Sequence, residues 1–135
     1  MEKVLYTARA HTVGGRNGAS RSTDGRLDIQ LSTPESAGSG TNPEQLLAVG
    51  WSACLLSFLR TAASRINVSL PAAAAIDTEV DLLETSAGYG LAVRFRVSLP
   101  GIEREIAQQL VGVAHDTCPY SRATRGNISV DIRIV

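Results

Sequence analysis

The sequence is short of several things, and each shortage closes off a class of protein. Aromatic residues are few, with two Phe, one Trp and three Tyr in 135 residues, so any core is mainly aliphatic. An excess of one charge is missing: thirteen Lys and Arg balance thirteen Asp and Glu. With no basic surplus to neutralise phosphates, nucleic-acid binding is not expected. The N-terminus, Met-Glu-Lys-Val-Leu-Tyr, lacks the apolar core of a signal peptide. The uncharged run from Gln45 to Leu59 is too short, and too broken by Gln45, Gly50 and Ser52, for a membrane span of ~20 residues, so no membrane partner is expected either. These absences point to a cytoplasmic protein. Cysteines number only two, Cys54 and Cys118. In a reducing compartment such a pair is seldom a structural disulfide, and catalytic or redox use is the expectation.

What is present is a chain of one-domain length, residues 1–135, with 44% hydrophobic content and no internal repeat or linker. Val4 to Thr12 alternates and reads as a strand. Val13-Gly-Gly-Arg-Asn-Gly18 breaks it with a turn, and Arg26 to Ser32 alternates again, giving an N-terminal hairpin with a long loop from Gly14 to Gly25. Ser32 to Gly40 is a loop. Asn42 caps a helix that Pro43 opens and that ends between Ala63 and Asn67. Ile76–Leu83 and Leu91–Leu99 alternate as a second hairpin. Ile102, Ile106, Leu110 and Val113 mark an amphipathic helix from Glu103 to about Asp116, and Asn127–Val135 closes the chain as a strand. The order β-β-α-β-β-α-β is that of an α+β fold rather than of repeated βαβ units.

The helix after Asn42 organises the rest. Leu46, Leu47, Val49, Trp51, Ala53, Leu55, Leu56 and Phe58 cover every side of its wheel, the signature of a helix buried all round. One short domain has few layers to cover it, so a second copy of the chain, in a homodimer, is expected to complete the burial. Cys54 lies in its middle. A free thiol near 8.5 is only a few per cent thiolate at neutral pH, and burial makes ionisation harder. Bringing it down to about 6 takes about 3.4 kcal/mol of differential stabilisation, within reach of one guanidinium in a dry pocket. The helix offers no cation before Arg60. Arg16, in its glycine loop, is the candidate, with Glu44 at the helix start to fix its planar fork. Gly50, Trp51, Ser57 and Phe58 lie one turn from Cys54 on the same face. Their apolar surround with one small gap suits a substrate with an oily tail, and Gly50, Trp51 and Phe58 are the candidate substrate contacts.

Thr41-Asn-Pro-Glu-Gln-Leu, Trp51-Ser-Ala-Cys54 and His115-Asp-Thr-Cys-Pro-Tyr-Ser-Arg-Ala-Thr-Arg-Gly-Asn127 resemble the two cysteine motifs of the OsmC/Ohr family, most closely its organic hydroperoxide resistance branch. The likeness runs the length of the chain, and Trp51 stands where that branch leads one to expect Tyr. The resemblance implies an OsmC-like fold, two β-sheets around buried central helices in an intertwined homodimer. It also implies a thiol peroxidase in which Cys54 is the peroxidatic cysteine, Cys118 the resolving one, Arg16 the thiolate activator and Glu44 its anchor. No metal or bound cofactor is implied. The reductant implied is an external dithiol, dihydrolipoamide or a lipoylated protein, and the substrate an organic hydroperoxide.

Each residue also has a plainer reading. The cysteines can be small buried hydrophobes, Arg16 a solvated loop charge, Glu44 a helix-dipole partner, and Trp51 and Phe58 simply core. His115 is read as a helix-end residue, since one nearby His and no Cys-x-x-Cys make a poor zinc site. Two other functions stay open at this point: a general peroxidase preferring hydrogen peroxide, and a non-enzymatic redox-sensing or metal-binding dimer.

Overall fold

The structure, a computed structural model, describes residues 1–135. It divides into two compact units, Met1–Leu46 and Leu47–Val135. The boundary falls on no linker but inside the long helix α1 (Pro43–Arg65).

The first unit is built on an antiparallel sheet of β1 (Ala10–Val13), β2 (Ala19–Ser22) and β3 (Asp28–Gln30), in that order. The expected two-stranded hairpin is therefore three-stranded. Ala-Ser-Arg-Ser carries no apolar alternation, yet it pairs with both neighbours, Val13 opposite Ala19 and Ser20 opposite Ile29. The first strand is also shorter than its pattern. Val4, Tyr6 and Ala8 of the alternating set lie exposed outside any strand, as does Leu5 between them. Beyond β3 only Leu31 is buried, and its N–H bonds the carbonyl of Gly18.

The start of α1 follows its sequence. Asn42 Oδ1 accepts from the Gln45 N–H at 2.9 Å, the N-cap bond, and Pro43 fills the first helical position, where a missing N–H is harmless. The helix ends on Asn67, whose φ of 57° places it in the left-handed region. Val68 N–H reaches Ala63 O and Asn67 N–H reaches Ser64 O, the paired bonds of a Schellman end.

In the second unit, β4 (Ala75–Thr85) and β5 (Gly88–Ser98) form a long antiparallel hairpin, and β6 (Ser129–Ile134) joins β5 in parallel. A parallel neighbour needs a crossover, supplied here by α2 (Arg104–Thr117) and α3 (Pro119–Thr124). The separate helix α3 was not foreseen. Val93, Phe95, Val97 and Leu99 point to the core, with Trp51, Leu55 and Leu59 of α1 and Ala107, Leu110 and Ala114 of α2. On the other face of the sheet Arg94 grips Asp81 through both nitrogens, at 2.6 and 2.9 Å.

Two expectations about α1 need correction. It is buried along one stripe only (Trp51, Leu55, Leu59, Ala62, Ala63), while Val49 is 68% exposed. One chain has no further layer for the other side. At 23 residues it is also long and apolar enough, by length and composition, to cross a membrane, because the helix runs on through Arg60 beyond the uncharged stretch. Its packed stripe is that of a core helix.

Candidate functional site

In the first unit, the Gly-Gly-Arg-Asn-Gly segment forms a single 3₁₀ turn, Gly15–Asn17, that presents Arg16. The glycines are required. Gly14 sits at φ +72°, and a Cβ on Gly18 would stand 1.8 Å from the carbonyl oxygen of Val13. Arg16 donates from Nη1 to Glu44 Oε2 at 2.9 Å and from Nη2 to Glu44 Oε1 at 2.6 Å, a two-pronged pair that suits a planar guanidinium. The Glu44 side chain is only 14% exposed and that of Arg16 44%. The hydrogen bond from Arg16 holds the Glu44 carboxyl below its ordinary value, against the opposing effect of burial. The same bond pushes the Arg16 guanidinium up.

In the second unit the chain turns a corner at Cys118. Pro119 disfavours helical backbone in the residue before it, and Cys118 accordingly adopts φ −60°, ψ 123°. α2 stops there, and Pro119 becomes the first residue of α3, the place in a helix where proline fits best. The corner is tied down on both sides. Cys118 N–H bonds Ala114 O at 2.8 Å, and Arg122 N–H bonds Cys118 O at 2.9 Å. Arg125 adds a bond from Nη2 to the carbonyl of His115 at 2.7 Å.

This corner brings the wholly buried Cys118 thiol to 3.6 Å from Cys54 Sγ, to which it donates. The two residues are 64 positions apart. Both thiols are free. Burial pushes Cys54 up to about 11, the nearness of Cys118 adds to the rise, and the backbone N–H of Tyr120 pulls the other way. A guanidinium was expected to hold Cys54 below its ordinary value. The shift is instead upward, and no cation is among its causes, because burial and a second thiol both disfavour the charged sulfur.

The other candidates fall as follows. Trp51, expected in the wall of a substrate pocket, is wholly buried and stands edge-on to Phe95, with ring centres 5.1 Å apart. Phe58 is partly buried against the core. A Cβ on Gly50 would meet nothing within 4 Å. His115 lies in the last turn of α2; burial lowers its pKa, and its buried Nδ1 has no partner. No three His, Cys, Asp or Glu side chains gather as metal ligands would. Sequence reasoning passed over Ser121, which is wholly buried and accepts the Trp51 indole N–H at 3.0 Å. The one available signal was the sole Trp of the chain in an uncharged helix, since a buried indole needs an acceptor somewhere.

Two free thiols in contact, one on a core helix and one at a helix corner, define a dithiol protein of the α+β class. Residues 36–133 match the family described as OsmC-like protein. The chain is 44% identical over 137 residues to an organic hydroperoxide resistance protein of Xanthomonas axonopodis pv. citri (strain 306), a match covering 98% of this chain and 96% of that one. Its fold is similar to that of the organic hydroperoxide resistance protein OhrB of Bacillus subtilis, with TM-score 0.93, 38% identity, and 98% of this chain and 100% of that chain covered. An organic hydroperoxide resistance protein from Legionella pneumophila is also similar, at TM-score 0.91 and 40% identity, with 98% of each chain covered. The chain belongs to the OsmC-like family, in its organic hydroperoxide resistance branch.

Proposed function

We propose that this protein gives resistance to organic hydroperoxides by reducing them to alcohols at Cys54. The observation that carries the reading is the 3.6 Å approach of the two sulfurs. The Cys54 thiolate attacks the peroxide O–O bond, takes one oxygen as a sulfenic acid, and releases the other as the alcohol. Cys118 then displaces that oxygen as water and forms the Cys54–Cys118 disulfide. A disulfide needs ~2.05 Å between sulfurs, so the pair closes by roughly 1.5 Å. An external dithiol, of the lipoyl type that the family resemblance implies, reduces the disulfide by exchange and leaves oxidised.

The first step needs a thiolate. A thiol at about 11 is ionised in roughly one molecule in ten thousand at pH 7. Arg16, fixed by Glu44, is the activator in this reading, and the two-pronged ion pair supports it by pre-orienting the guanidinium. Gly50, Trp51 and Phe58 remain the candidate contacts of an apolar substrate, with the open space beside Gly50 in favour and the complete burial of Trp51 against a direct role for its ring. The reading includes a cytoplasmic location and an intertwined homodimer. The dimer is supported by the exposed outer side of α1 at Val49 and by the unpaired, alternating segment through Val4 and Tyr6.

The test is mass spectrometry after one equivalent of an alkyl hydroperoxide. Wild type is expected to lose two hydrogens and link Cys54 to Cys118, and Cys118→Ser to trap an oxygen on Cys54. Peroxide consumption at the full rate by Cys54→Ser ends the proposal. A faster reaction with hydrogen peroxide than with cumene hydroperoxide replaces the organic substrate with the simpler one.

A further inference from the structure

Trp51 precedes Cys54 by three residues in α1, and Ser121 follows Cys118 by three, in the first turn of α3. The indole Nε1–H of Trp51 donates to Ser121 Oγ across 3.0 Å, and both side chains are fully buried. Beside the contact between the sulfurs and the Tyr120 N–H that faces Cys54, it is the one hydrogen bond between two side chains other than the thiols that joins α1 to the segment carrying Cys118. The two contacts form successive rungs between the same two stretches of chain. The upper rung is anchored in turn, because the edge-on packing of Trp51 against Phe95 fixes the indole to the central strand of the sheet.

We propose that Trp51 and Ser121 are positioning residues that hold Cys118 within closing distance of Cys54 and so set how readily the disulfide forms. The proposal rests on the two-cysteine reading above and deepens it. In that reading the sulfenic acid on Cys54 has two fates. Cys118 can displace water from it, or a second hydroperoxide can transfer another oxygen, giving the sulfinic acid and one more alcohol. A sulfur held in place by a buried tether favours the first fate. A donor as large as an indole reaches Ser121 from α1 without moving the helix. Removal of either partner strands a buried polar group or empties its place.

The test begins with equilibrium in a glutathione redox buffer, which reads the tendency of the two thiols to pair without any peroxide. Ser121→Ala and Trp51→Phe should each shift the disulfide-to-dithiol ratio toward the dithiol by about fivefold, equivalent to about 1 kcal/mol. The double variant should go no further, and Ser121→Thr, which keeps the hydroxyl, should restore the wild-type ratio. The second arm is kinetic. With excess alkyl hydroperoxide, Ser121→Ala should accumulate Cys54 sulfinic acid faster than wild type, while the first oxidation of Cys54 keeps its rate. Unchanged glutathione ratios in both single variants overturn the proposal. So does a Ser121→Thr protein as impaired as Ser121→Ala, which makes the effect one of packing. Should Ser121→Ala not fold, Trp51→Phe with Ser121→Thr carries the same decision. Wild-type protein that pairs its thiols normally in glutathione but leaves hydroperoxide untouched sinks the peroxidase reading and leaves the tether standing.

Discussion

The helices α1 and α2 make a useful contrast. In α2 the sequence and the burial largely agree: Ala107, Leu110, Val111 and Ala114 are buried, and Glu105, Gln108 and Gln109 face water. The exception is Val113, expected on the apolar face and 43% exposed, because the buried stripe runs through Val111 and Ala114 instead. In α1 they disagree. The sequence is apolar on all sides, but full burial is confined to the stripe through Trp51, Leu55, Leu59, Ala62 and Ala63, with Leu47, Cys54, Leu56 and Phe58 partly covered beside it, and Val49 stays exposed. The lesson is that an amphipathic helix reports its own packing, whereas a helix apolar all round reports a requirement that the chain alone does not meet.

The sharpest way to break the contrast is to place a charge on each outer face. Val49→Asp would bury an unpaired carboxylate in the proposed dimer and should halve the mass seen by sedimentation, because such a charge costs several kcal/mol. Gln109→Asp, on the outer face of α2, should leave the mass unchanged. A wild-type monomer, or a Val49→Asp protein of unaltered mass, removes the dimer from the account.

Next in size are truncations on the inner faces. Leu55→Ala in α1 and Leu110→Ala in α2 remove side chains that are 0% and 2% exposed, and each should lower unfolding stability by about 2–5 kcal/mol. Val113→Ala, at a position 43% exposed, should stay within about 0.5 kcal/mol. Chemical denaturation reads all three, and an equal cost for Val113 would mean that the outer side of α2 is covered too.

The smallest effect concerns the thiol on the inner side of α1. With Arg16 turned to Glu44, burial and Cys118 raise Cys54 to about 11. A guanidinium that swings to the sulfur in the working protein should bring the midpoint of the alkylation profile below that value, and Arg16→Ala should return it there. Because the folded thiol as the structure holds it is raised above its unfolded value, its contribution to stability is complete below the ordinary thiol range and is lost as pH rises through about 11. Identical alkylation profiles for the two proteins exclude Arg16 from activation.

How much of this was readable beforehand depends on the range of each signal. The cap at Asn42, the alternation of Leu91–Leu99 and the three-to-four spacing of α2 are local, and each has its counterpart in the structure. β2 was missed because Ala19–Ser22 has no apolar face and is held by backbone pairing alone. α3 was missed because six residues are too few to show a period, and a proline reads first as a breaker. Val4 to Arg9 carries a strand pattern without a strand, since pairing needs a neighbour that the pattern does not name. In the site, Arg16 and Glu44 were singled out from their chemistry, and the two thiols were brought together by family resemblance. The Trp51–Ser121 bond spans 70 residues, and nothing local to either residue announces the other.

The corner at Cys118 has a mechanical consequence. A sulfur carried mid-helix moves toward its partner by side-chain rotation alone, because its backbone is held by helical hydrogen bonds on both sides. Cys118 belongs to neither helix; it is the joint between them, with non-helical ψ on one side and a proline on the other. With the backbone bonds of Cys118 to Ala114 and Arg122 kept, rotation of its side chain and small adjustments at the corner can carry the sulfur back and forth while α2 and α3 stay wound.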